Sequence, residues 1–164
     1  MTDAEQHPMA RALDVARCLI QLAASGDEPD FLTHLRLQKL LYYVQGWSLA
    51  LRNSPMFDDR IEALVNGPVA RSVYRYFADY GFGLIMPTQA AEPEDLSEED
   101  AEFIGSIWEA YKGYSASSLR SMTHKERPWR DARAGFRPDE KCENEITHEA
   151  MKAFFSALAE EGNG

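Results

Sequence analysis

Long apolar runs are missing from this 164-residue sequence. No stretch approaches the roughly 18 uninterrupted apolar residues a membrane-spanning helix needs, because charge returns every few positions, so no membrane contact is expected. Cysteine is scarce as well. Cys18 and Cys142 lie in unrelated segments without CxxC spacing and without a secretory pattern ahead of them. A disulfide scaffold is therefore not expected, and reduced thiols in a cytoplasmic protein are. The four histidines, His7, His34, His124 and His148, are not paired with one another or with a cysteine at metal-ligand spacing, and HExxH is absent. The serines lack a GxSxG elbow, and neither GxGxxG nor GxxxxGK[ST] occurs to cradle phosphate. Catalysis is thus left without a positive argument, and no catalytic residues, no metal and no cofactor are expected.

Positive charge is also in short supply. Lys and Arg number 17 against 27 Asp and Glu, a formal charge of −10. The resulting field repels phosphate backbones and anionic membranes, so nucleic acid is disfavoured as a partner unless a local basic patch overrides the average. What is abundant is core material: 45% of the residues are hydrophobic and 11% aromatic. That is enough to offset the ordering of one chain, which typically costs about 1 to 2 kcal/mol per residue. No internal repeat or low-complexity tract interrupts the pattern. A single compact domain is expected, with its core at about residues 10–160 and short flexible ends.

The periodicity is mainly that of helices. Leu13, Ala16, Leu19, Ile20 and Ala23 follow helical spacing up to a stop at Gly26. Thr33 is placed to cap a second helix whose Leu37, Leu40, Leu41, Val44 and Leu51 form one apolar stripe, widened by Tyr43, Trp47 and Ala50. Gln38, Gln45 and Arg52 are its only clear polar strip, so this helix is expected to be a hub packed on two sides. After Asn53, Ser54 and Pro55, the stretch Ile61 to Val65 predicts a short strand leading into the Asn66-Gly67-Pro68 turn. Helical spacing then resumes over Val69, Val73, Tyr76, Phe77 and Tyr80 as far as Gly81, with Pro68 presetting its first turn. Leu84 to Met86 is expected to return as a second strand, so that residues 61–65 and 84–86 form a two-stranded element.

Glu92 to Glu102 holds seven acids and no base, which suits a solvated connection entering a helix start. Ser97 and Asp100 make a capping-box pattern, and Phe103, Ile104, Ile107, Trp108 and Tyr111 follow as an inward face. Ser115 to Met122 predicts another short helix. Thr147 is placed to cap the last helix, with Ile146 and Met151 as a hydrophobic staple and Phe154, Phe155 and Leu158 behind. The sum is a mainly α fold of about five to seven helices.

Two features point outward. From Arg120 to Arg137 six Lys or Arg residues face two acids, with Trp129 and Phe136 interleaved. This is a solvated face, a dock for an acidic protein surface, or a nucleic-acid contact. The run Thr123-His124-Lys125-Glu126-Arg127-Pro128-Trp129 either joins two helices, with Trp129 buried against the hub, or presents an anchor.

Three segments together resemble the Panacea antitoxin family, the SocA-like or phage-associated GepA-like proteins. They are Leu37-Gln38-Lys39-Leu40-Leu41-Tyr42-Tyr43 running to Gly46-Trp47, Ile61-Glu62-Ala63 leading to Gly67-Pro68-Val69 and Tyr74, and Thr123-His124 with Pro128-Trp129. The likeness spans roughly residues 10–135. Ser48 stands where the family pattern often has His, so no role of that side chain transfers. The resemblance implies an antitoxin that neutralises a cognate toxin by direct contact, and in the SocA-like branch one that delivers it to the ClpXP protease. Tyr74, Arg127, Trp129 and Arg130 are the expected anchors of the partner surface, since Trp, Tyr and Arg dominate interface energetics. A DNA-binding autoregulator, and behind it a metal-dependent or hydrolytic enzyme, are the rival readings.

Overall fold

The computed structural model describes residues 9–80 and 83–163. His7, Gly81 and Gly164 lie outside them. Among the described residues the chain is mainly helical, with two two-stranded antiparallel sheets.

Helix α1 (Ala12–Ala24) opens on a reciprocal arrangement of Arg11 with Asp14 and ends at Ser25, one residue before Gly26. Asp14 is fully buried. Burial would raise its pKa, but the Glu94 backbone N–H at 3.0 Å and Arg11 hold the carboxyl below its usual range.

Strand β1 (Leu32–Thr33) runs directly into α2 (His34–Arg52), whose cap is Thr33: its hydroxyl accepts from the Arg36 N–H at 3.2 Å. Asn53 closes α2 in the left-handed conformation at φ 57°. The helix is the expected hub, packed against α1 and, as described below, against α5, α6, α8 and a hairpin. Two of the three residues in its polar strip do not face water. Gln38 and Gln45 are both buried and hold neighbouring backbone. The Gln45 amide donates to Phe57 O at 2.7 Å and accepts from Met56 N–H at 2.8 Å, pinning the loop that follows α2. Ser48 does the same by donating to Ser54 O at 2.7 Å.

Strand β2 (Ile61–Leu64) forms as expected, but its partner is the adjacent β3 (Gly67–Ala70), in the register Ile61 to Ala70 and Leu64 to Gly67. The predicted pairing with residues 84–86 does not occur: β4 (Leu84–Ile85) pairs with β1. A two-residue connection closes with far less loss of chain entropy than a twenty-residue one, and Gly67 at φ +116° makes the tight reversal possible. The helix expected from Val69 is correspondingly shorter. Pro68 and Val69 belong to β3, helix α3 covers only Arg71–Tyr76, and a 3-10 turn, Ala78–Tyr80, follows. Ala70 is held as strand because its N–H donates to Gln38 Oε1 at 2.7 Å.

After the short α4 (Pro87–Ala90), α5 (Glu98–Tyr111) starts at Ser97, whose hydroxyl accepts from Asp100 N–H at 3.0 Å. The Asp100 carboxylate turns away to meet Arg52 at 2.7 Å, tying α5 to the end of α2. Helix α6 (Ala116–Lys125) is capped by Ser115, and α7 (Arg127–Ala132) follows with Pro128 in its first turn. Helix α8 (His148–Asn163) is capped by Thr147, which accepts from Ala150 N–H at 3.0 Å, with Ile146 and Met151 buried beside it. Side chains from α1, α2, α5, α6, α7, α8 and both sheets share one hydrophobic cluster. Among the described residues no helix is long and apolar enough to cross a membrane. Both cysteines are free and buried.

Candidate partner interface

The residues singled out in the sequence fall into a buried frame and an exposed rim. The frame begins at Gly67. A Cβ there would lie 2.5 Å from Lys39 Cε and 3.1 Å from Thr123 Oγ1, so the hairpin turn, α2 and α6 meet at a point where only glycine fits. Lys39 is 1% exposed, with Pro68 O as a distant acceptor at 3.5 Å. Burial, helped by the charge of Arg120, pulls its pKa down to about 7.

Further along α2, the hydroxyls of Tyr42 and Tyr43 donate to the two carboxylate oxygens of Glu126, each at 3.0 Å. Glu126 sits in extended conformation at the joint between α6 and α7. Burial pushes its pKa up to about 7 against the pull of the two tyrosine hydrogen bonds. The same burial drives both phenols well above their usual range. Tyr43 also stacks on Tyr111, whose hydroxyl accepts from Trp47 Nε1–H at 2.8 Å. Gly46 completes this side: a Cβ there would come within 2.1 Å of the Phe155 ring, so the missing side chain is the seat for α8.

The third part of the frame holds α7. The Trp129 indole N–H donates to Leu64 O at 2.8 Å, and Arg133 donates to Ala63 O at 2.9 Å while its guanidinium lies 5.0 Å from the Trp129 ring. His124 stacks nearly parallel on the same indole at 4.0 Å. Burial first, then Arg120 and Lys39, lower the His124 pKa to about 4, so the ring is neutral near pH 7; its buried Nε2 has no hydrogen-bond partner. Arg120 donates to Asn66 Oδ1 at 3.3 Å. The turn before Gly67 and Arg120, the first residue of the basic run, are therefore in contact.

The four expected anchors do not share one position. Trp129 is only 6% exposed and its polar edge is engaged, so it positions α7 and is not itself open to a partner. Arg127 and Arg130 stand exposed on α7, Arg127 in a surface pair with Asp131 at 3.5 Å. Arg127 and Pro128 line a groove of about 470 Å³ against Phe154 and Leu158 of α8. Tyr74, 45% exposed, lines a different groove of about 420 Å³ between the hairpin, α3 and the start of α2. Two determinants carry no signal in the sequence: Glu126 is legible there only as part of a joint, and Arg133 only as one of a basic run. No local pattern announces a carboxylate that reaches two tyrosines more than eighty positions away.

Among the described residues no group of three or more His, Cys, Asp or Glu could hold a metal ion. In comparison with known proteins, the family described as "Antitoxin SocA-like, Panacea domain" matches residues 37–130. Antitoxin SocA of Caulobacter vibrioides (strain NA1000 / CB15N) is 40% identical over 81 residues, which cover 49% of this chain and 41% of that relative. No solved structure matches.

Proposed function

This chain belongs to the SocA-like antitoxin, Panacea domain family, and from that premise we propose that it neutralises a cognate toxin by direct protein contact. The family match running from α2 into α7 carries the reading. Physical support comes from how the matched residues are used. Lys39, Tyr42, Tyr43, Gly46, Gly67, Thr123 and Trp129 are spent on the interior, where they lock the hairpin, α7 and α8 onto the hub. A rigid frame of this kind presents Arg127 and Arg130 without further ordering, and a preorganised surface binds more tightly than one that must be fixed on contact. The charge of −10 draws in a basic partner and repels an acidic one.

Co-expression with the protein encoded beside it is the test. The expected result is rescue of growth together with a complex that survives purification; rescue without a complex overturns direct contact. The match spans about two fifths of Antitoxin SocA, so delivery to the ClpXP protease is a finer proposal. It requires the toxin to disappear only when this chain and ClpXP are both present, while the chain itself persists. A stable, inactive toxin in the complex leaves simple blocking as the mode.

A further inference from the structure

The groove beside Tyr74 has no role in the frame. It lies between the first turn of α2, the β2–β3 hairpin, α3 and the segment 141–143. Its volume of about 420 Å³ is near the lower end of the range for ligand pockets, about 300 to 1,000 Å³. That leaves room for one or two residues of a chain and none for a helix.

Its apolar surface comes from Leu35, Leu64, Val69 and the ring of Tyr74. The Tyr74 ring lies against His34, centroids 4.7 Å apart and tilted by 32°, and burial, then the charge of Lys39, lower the His34 pKa. Most polar groups are already engaged. The Gln38 amide is used at both ends, by Ala70 N–H at 2.7 Å and by His34 Nε2 at 3.2 Å. Arg71 is neutralised by Glu62 at 2.6 Å and Glu143 at 2.9 Å. Asn66 accepts from Arg120 through Oδ1, which leaves its amide N–H groups as neutral donors at the rim. One cation and one hydroxyl are left over besides. The Lys141 ammonium and the Tyr74 hydroxyl make no ion pair or hydrogen bond among the described residues, and both border the groove.

An apolar floor with one free cation and one free hydroxyl selects a ligand with an apolar end and a single negative charge. Phosphate would call for several donors around its oxygens, and among the described residues only one unspent cation borders the groove. We infer that this groove receives the carboxyl terminus of a polypeptide whose last side chain is aromatic or branched apolar, the carboxylate resting on Lys141 and Tyr74 and the side chain on Leu35, Leu64 and Val69. Charge decides for a polypeptide over a free acid. A small anion meets the repulsion of a molecule at −10, whereas a basic polypeptide is drawn in by that field and contributes its one carboxylate to the local cation. On the antitoxin reading, on which this identification of the partner rests, the tail is that of the toxin.

The probe is the peptide acetyl-Lys-Lys-Ala-Phe, titrated into the full chain as the free acid and as the C-terminal amide, with phenylacetate as a third arm, and followed by amide chemical shifts. The free acid is expected to shift resonances of the hairpin and α3 and to bind at least tenfold more tightly than the amide. Lys141→Glu, a change at an exposed side chain, is expected to abolish that difference while leaving the spectrum of the free protein otherwise intact. Lys141→Arg retains it. Equal binding of acid and amide overturns the carboxylate assignment. Phenylacetate binding as tightly as the peptide overturns the polypeptide as occupant, and no shift with any probe at millimolar concentration overturns the site. A complex with the neighbouring gene product that is indifferent to Lys141→Glu sinks this inference and spares the antitoxin reading. Peptide binding without growth rescue does the reverse.

Discussion

Gly46 and Gly67 are absences that two other residues fill. At Gly46 the occupant is a packed aromatic ring, so Gly46→Ala forces Phe155 aside and is expected to cost about 1 to 3 kcal/mol in urea unfolding. An unchanged midpoint would mean that α8 docks elsewhere. Glu126 makes a different kind of prediction. Its carboxyl has a pKa near 7 in the folded chain, above the ordinary value of 4.5, so the folded state holds the proton more firmly than the unfolded chain. The stability that this contributes is fully present below about pH 4.5 and is lost as pH rises through 7. Glu126→Gln cannot undergo that loss. Relative to the parent, its stability is expected to improve by up to about 3 kcal/mol between pH 5 and pH 8, at about 1.4 kcal/mol per pKa unit. A difference that stays flat over that range would show that Glu126 titrates as an ordinary surface acid.

Among the elements, α7 shows best how much the sequence discloses. The run Thr123 to Trp129 reads as a joint between two helices or as an anchor, and the arginines around it as pointing outward, with no boundary marked for α7. Trp129, an aromatic among arginines, fitted an exposed anchor as well as a buried one. Only the Leu64 carbonyl, supplied by a hairpin sixty-five positions away, decides between them. The helix starts at Thr33, Ser97 and Thr147 were readable because a cap is a local hydrogen bond. The stretch from Val69 departs from its helical spacing for the opposite reason. Val73 and Phe77 do lie on a helical face, but Val69 joins their spacing while its backbone belongs to β3, held there by Gln38 of α2. If α7 presents the contact side chains, reversing Arg127 and Arg130 together to Glu should weaken the toxin complex by tenfold or more. Thermal stability should be almost unaffected, because exposed pairs such as Arg127–Asp131 contribute about 0 to 1 kcal/mol. An undiminished complex would move the contact off this helix.

For the molecule as a whole, the sign of the charge matters more than any single pair. With 27 acids against 17 bases, association with a basic toxin is expected to slow as salt is raised from 50 to 500 mM, while the dissociation rate changes little. Stopped-flow measurement at several ionic strengths separates the two, and an association rate indifferent to salt removes electrostatic steering from the account.

The seating of Phe155 on Gly46 and the bond between Gln45 and His148, 103 positions apart in the chain, also set a timetable. Because α2 is synthesised before α8, the hollow at Gly46 is shielded only once the later helix has been made.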